Sequence, residues 1–156
     1  MILVEIKKAI ENDMNSVYKI VNKTINEIYY KYLSNAIIDY FFDLHTEEKI
    51  LNDIKNQNVY VFQDHGETFA TATCEENLIK RLYVLPEFEG NGYGSSIMDF
   101  LENKISANYA YSLVDGVDSS MKFYLKRGYY TIDNIITDVG NQQQFYYERL
   151  RKDLNI

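Results

Sequence analysis

The chain has little of several residue types, and each scarcity removes a class of answer. Its 156 residues hold one cysteine, Cys74, so no disulfide can close within the chain and a reducing compartment is the natural expectation. One proline and seven glycines leave no linker or low-complexity tract, and tryptophan is absent. The two histidines and the lone cysteine show no metal-ligand spacing, so no metal is expected. No apolar run approaches the ~18 residues needed to cross a bilayer, and the amino terminus lacks a charged-then-apolar export signal. A cytoplasmic location with no membrane partner is the resulting expectation. Cations are also short: 16 Lys and Arg stand against 23 Asp and Glu, for a formal net charge of −7. General nucleic-acid affinity needs clustered cations to displace counterions, so no nucleic-acid partner is expected. An acidic surface favours a cationic substrate, although acidity also serves solubility alone.

What is present describes one folded domain spanning residues 1–156. Hydrophobic residues make up 46% of the chain, with fifteen tyrosines and eight phenylalanines, and charged residues 25%. A chain of this length buries about two thirds of its unfolded surface. The periodicities predict a strand over Ile2 to Ile6 and then a helix with Met14, Val17, Val21, Ile25 and Ile28 along one stripe. Ala36 to Leu44 reads as a second helix, and Thr46 caps a third carrying Ile50, Leu51 and Ile54 inward. Beyond residue 56 the period changes to that of strands. Val59 to Gln63 and Thr68 to Cys74 flank the turn Asp64-His65-Gly66-Glu67, and Leu78 to Leu85 runs to Pro86. A helix over Ser95 to Ile105, a strand over Tyr109 to Val114 and a helix capped by Asp118 or Ser119 follow. Tyr129 to Ile136 and Gln143 to Leu150 close the chain as an antiparallel pair around Gly140-Asn141. This order is that of an α/β fold with helices on both faces of a sheet.

Three glycines alternate in Glu89-Gly90-Asn91-Gly92-Tyr93-Gly94, after a strand and before a helix. Lacking Cβ atoms, they let main-chain N–H groups approach an anion, and the positive end of the following helix faces the same point. A pyrophosphate is the usual guest of such a nest. The nucleotide motifs do not fit: no Gly-Lys pair exists for a P-loop, and the third glycine stands too close for G-x-G-x-x-G. A tight strand-to-helix turn that wants glycine for steric reasons alone is the competing reading.

The run Leu82-Tyr83-Val84-Leu85-Pro86-Glu87-Phe88-Glu89-Gly90-Asn91-Gly92-Tyr93-Gly94-Ser95 resembles the acetyl-CoA loop of the GNAT acetyltransferase superfamily, [Q/R]-x-x-G-x-[G/A]. Gly92 and Gly94 match, whereas Glu89 replaces the usual Gln or Arg. A second, independent segment, Phe123-Tyr124-Leu125-Lys126-Arg127-Gly128-Tyr129, is similar to the family's F-Y-x-x-x-G-[F/Y] at the expected distance. The resemblance implies a GNAT-like mixed, mostly antiparallel central sheet with helices on both faces, and an acetyl-CoA-dependent N-acetyltransferase. It implies that the pantetheine arm lies along Leu82, Tyr83 and Val84 and that the pyrophosphate sits on Gly90, Asn91, Gly92, Tyr93, Gly94 and Ser95. It also implies direct transfer in a ternary complex to a primary amine of a small molecule, a polyamine or a peptide, and homodimers are common among similar enzymes.

In that frame Tyr124 is the candidate catalytic acid for the leaving thiolate, since an unperturbed phenol near ~10 lies close to a thiol near ~8.5. The N–H of Val84 is a candidate oxyanion donor. The strand before the loop carries no carboxylate, so the general base is open among Glu75, Glu76, Asp115, His45 and water. Cys74 is read as a buried cysteine, not a nucleophile. The aromatic cluster Tyr29, Tyr30, Tyr32, Tyr40, Phe41 and Phe42 is core by default, with part of it available to wall an amine site. The rival reading is an acyl-CoA-binding sensor that kept the fold and lost efficient catalysis.

Overall fold

The stripe of Val17, Ile20, Val21 and Ile25 buries one face of α1 (Met14–Glu27). Ser34 caps α2 (Asn35–Leu44) by accepting from the N–H of Ile37, and Thr46 caps α3 (Glu47–Lys55) by accepting from the N–H of Lys49. The computed structural model describes residues 4–27, 29–31 and 33–154. Ile2, Ile28 and Tyr32, which the sequence placed in the first strand, the first helix stripe and the aromatic cluster, lie outside the described residues.

Seven strands form one sheet in the order β1-β2-β3-β4-β5-β7-β6. They are β1 (Glu5–Lys8), β2 (Val59–Asp64), β3 (Glu67–Glu75), β4 (Leu78–Val84), β5 (Tyr111–Gly116), β6 (Tyr130–Gly140) and β7 (Gln143–Asp153). The β4–β5 pair is parallel and the other pairings are antiparallel. The remaining helices, α4 (Tyr93–Ser106) and α5 (Asp118–Lys126), precede and follow β5. Strand β2 shows how both faces are covered. Tyr60 and Phe62 point to Phe100 of α4, while Val59 and Val61 alternate to the other face and are also buried. The expected mixed, mostly antiparallel sheet is therefore present.

Boundaries differ where backbone geometry outranks sequence pattern. Helix α4 begins at Tyr93, two residues before the expected Ser95, because Gly92 takes φ 79° and turns the chain directly into the helix. Neither Asp118 nor Ser119 caps α5. Val117 holds the cap position in extended backbone, and the hydroxyl of Ser120 accepts its N–H at 3.1 Å. The β6–β7 turn is centred on Asn141 and Gln142, both at positive φ, as a two-residue hairpin turn of the primed type requires.

Candidate functional site

The site begins with a missing strand contact. Strands β4 and β5 pair only at Leu78↔Leu113 and Ile79↔Val114, and then separate. A bulge helps them part. Tyr83 pairs with Thr71 and Lys80 with Thr73, so Arg81 and Leu82 together oppose Ala72, and Arg81 sits at φ 52°. The wedge opens into a cavity of about 1140 Å³ lined by Leu82, Tyr83 and Val84 on one side and by the start of α5 on the other. Leu85 donates its N–H to Phe69 of β3 at 2.8 Å. Strand alternation then turns the N–H of Val84 toward the open side.

At the end of this wedge lies the glycine loop. Gly90 and Gly92 adopt φ 80° and 79°, and a Cβ on Gly90 would stand in open space. Among the described residues, none of the N–H groups from Gly90 to Ser95 donates to another residue; the helix ladder starts with Ser96 donating to Gly92. Six consecutive donors are thus left without an internal acceptor beside the cavity, at the positive end of a fourteen-residue helix. Gly90, Gly92, Tyr93, Gly94 and Ser95 line it. Asn91 does not, because its side-chain amide folds back onto the carbonyls of Phe88 and Glu89. The ring of Tyr93 turns away to Phe69, and its hydroxyl donates to Asp64 at 3.1 Å. Glu89 borders the cavity, and partial burial raises its carboxyl above the ordinary range.

Tyr124 stands across the cavity on α5, 8% exposed. Its hydroxyl makes no hydrogen bond to a described residue; burial, with the neighbouring Tyr29 and Asp115, pushes its pKa well up and keeps the phenol protonated. What holds α5 in place follows immediately in the chain. Arg127 donates to Glu102 and Asp99 of α4, and Tyr129 donates to Glu102 at 3.0 Å while sharing a 2.7 Å bond with Ser112. Lys152 of β7 completes the set at 2.8 Å from the same carboxylate. Glu102 is buried, so three donors converge on one charge in a screened setting and bind the helix of Tyr124 to the helix of the glycine loop. The Arg-Gly-Tyr end of the second motif is therefore structural.

A second cavity, of about 330 Å³, joins the first at Leu82, Tyr83, Val117 and Tyr124. His45 and Asp115 line it; Glu75 and Glu76 line neither cavity. Glu75 pairs with Lys80 at 2.6 Å instead. Asp115 accepts from Arg149 Nε at 2.8 Å and from a terminal nitrogen at 3.0 Å. Arg81 donates from Nε to His45 Nδ1 at 2.8 Å, pairs with Asp53, and donates to the carbonyl of Leu44. His45 Nε2 lies 3.1 Å from the Tyr83 hydroxyl. Burial, with Arg81 and Lys49 nearby, lowers the His45 pKa to about 3, so the ring is neutral. Cys74 is half-buried, its thiol pushed up to about 11 by burial, which keeps it unreactive.

Sequence reading did not reach Arg81, Asp53, Phe145 or Tyr147. Arg81 comes to the site through a bulge, Asp53 from helix α3, and Phe145 and Tyr147 from the distant strand β7, and no local pattern marks them. Of the expected aromatic cluster, Tyr29, Tyr40 and Phe41 do wall the second cavity.

Residues 55–131 match a family model described as an acetyltransferase (GNAT) domain, a span that runs through β2–β5, the glycine loop and α5. No curated protein sequence matches the chain. Among solved structures, a GCN5-related N-acetyltransferase from Rhodopseudomonas palustris superposes with a TM-score of 0.87 at 20% identity, over 98% of this chain and 97% of that one. A PaiA N-acetyltransferase from Thermoplasma acidophilum, in complex with coenzyme A, gives 0.75 at 17% identity over 97% and 99%. YncA from Salmonella typhimurium, a putative acetyltransferase with its cofactor acetyl-CoA, gives 0.71 at 12% identity over 99% and 96%. At such identities these are likenesses of fold. With the family match lying over both walls of the wedge, residues 55–131 form a GNAT acetyltransferase domain, which makes the chain an acyltransferase.

Proposed function

We propose that the chain transfers an acetyl group from acetyl-CoA to a primary amine by direct attack in a ternary complex. The observation that carries this reading is the run of six uncommitted N–H groups from Gly90 to Ser95, opening on the wedge between β4 and β5. A diphosphate fits that cradle, and the exposed edge of Leu82 to Val84 offers main-chain groups to an amide-bearing arm. Acetyl-CoA supplies the activated thioester. Tyr124 then faces the sulfur and Asp115 the incoming ammonium.

The ammonium loses a proton, by way of water to Asp115, and the free lone pair attacks the carbonyl carbon. The N–H of Val84 accommodates the developing oxyanion. Collapse breaks the C–S bond, the nitrogen loses a second proton, and the thiolate gains one. The raised pKa of Tyr124 modifies the expected acid role, because a phenol this reluctant to ionise does not hand its proton fully to a thiolate. Its hydrogen bond to sulfur stabilises the leaving charge, and a proton released by the amine completes the thiol.

Calorimetric titration with acetyl-CoA, followed by thiol release across a panel of amines, tests the reading. Micromolar binding and amine-dependent release are expected; absence of binding overturns it. Binding without release for any amine favours the acyl-CoA sensor, to which the carboxylate of Glu89 beside the anion cradle gives some substance.

A further inference from the structure

Resting on that reading, we infer that the acceptor is a small monoamine with an uncharged, preferably aromatic body, and that polyamines and amino acids are poor acceptors. The second cavity is built to hold one positive head and to reject any further charge. Its walls are Tyr29, Tyr40, Phe41, Phe145 and Tyr147. Phe41 stacks on Tyr29 at 5.3 Å and meets Phe145 edge-on at 5.2 Å, so the rings form one continuous surface. Such a surface favours aromatic and apolar groups, and ring faces also attract a single ammonium. At about 330 Å³ the space lies at the small end of ligand pockets, suited to a ring and a short chain.

Every ionic group reaching this cavity is already answered by the protein. Arg81 is held by Asp53, His45 and the carbonyl of Leu44, which leaves it no fork for a substrate carboxylate. Lys80 reaches outward to Glu75. His45 is neutral. Asp115 is the one carboxylate in the lining, and Arg149 occupies it with two bonds. What Asp115 has left is enough to orient one ammonium at the junction with the wedge, where Tyr124 stands. A second ammonium, or a carboxylate, would lose its water among aromatic rings without gaining a counter-ion, and buried charge without a partner is strongly disfavoured.

The probes are 2-phenylethylamine, 1,5-diaminopentane and glutamate, with dissociation constants measured calorimetrically on the protein with coenzyme A present, and kcat/KM measured by thiol release. Phenylethylamine should lead both others by at least about tenfold in each measure. Arg149→Gln frees the carboxylate of Asp115, so the lead of phenylethylamine over the diamine should shrink about fivefold or more. Equal or better binding of the diamine or glutamate by the unsubstituted protein overturns the inference, as does an unchanged ratio in the variant. Failure to bind acetyl-CoA would overturn the acyl-transfer reading separately, because the amine dissociation constants do not require it. If none of the three amines binds, the inference falls.

Discussion

Arg81 donates from Nε to Nδ1 of His45 at 2.8 Å, and that bond settles the histidine's tautomer. A guanidinium has only donors, so Nδ1 must be the acceptor and the ring proton resides on Nε2, facing the Tyr83 hydroxyl 3.1 Å away. The arrangement removes His45 from the general bases: its free lone pair is taken by Arg81, and its other nitrogen already carries hydrogen. The network instead lines the second cavity, at a bulge where Arg81 adopts a left-handed backbone that side chains rarely take.

Burial of that ring beside Arg81 has a pH consequence. His45 titrates near 3 in the folded chain and near 6.5 when unfolded. Between those values the unfolded chain binds a proton that the folded chain refuses, so folding stability falls as the pH drops through the window, by roughly 3–5 kcal/mol in all. His45→Gln keeps an acceptor for Arg81 and cannot titrate. Urea unfolding at pH 7 and pH 4 should show a smaller loss in the variant than in the unsubstituted protein; equal losses would refute the assignment.

Tyr124→Phe removes the hydroxyl that faces the wedge and leaves the buried ring in place. Turnover should fall roughly 10²-fold, the lower end of what positioned proton donors contribute, because the phenol stabilises charge without complete transfer. Acetyl-CoA affinity should change less than about twofold. Unaltered turnover would remove Tyr124 from the chemistry.

Glu89 places a carboxylate beside the glycine loop, with its pKa raised by partial burial. In a mostly aqueous setting a like charge near the proposed diphosphate site opposes binding by about 1 kcal/mol at most, so Glu89→Gln should tighten acetyl-CoA by up to about fivefold at pH 7. Protonation achieves the same relief. Affinity of the unsubstituted protein should therefore approach that of the variant as the pH falls toward the carboxyl's pKa. A gap that widens on acidification contradicts the argument.

Glu102 receives Arg127, Lys152 and Tyr129 where it is only 8% exposed. Truncation to Ala leaves two cations and a hydroxyl without their shared acceptor, a loss of about 3–5 kcal/mol. The midpoint of urea unfolding reads it directly. Glu102→Ala with an unshifted midpoint would mean that the cluster does not hold α5.

Much of this was legible along the chain. Helix stripes such as Val17–Ile25, the Thr46 cap and the Asp64–Glu67 hairpin are local matters, fixed by residues within a turn or two of one another. The Gly90–Ser95 loop belongs with them, since glycine spacing after a strand and before a helix is read without knowing what packs nearby. Tyr124 was legible for another reason: its motif matches a family pattern, although nothing local separates it from fourteen other tyrosines.

The sequence by itself thus determined the order of elements, the glycine-rich turn ahead of α4 and the family. Only the tertiary structure decided which charges remain available. Asp115, Arg149, Arg81, Asp53 and His45 are scattered over a hundred residues of chain, and their partnerships arise from a strand bulge, a parting of β4 from β5 and the return of β7. Burial and pairing are properties of three-dimensional neighbours, with energies set by distance and local screening, and neither is encoded in the spacing of residues along a line.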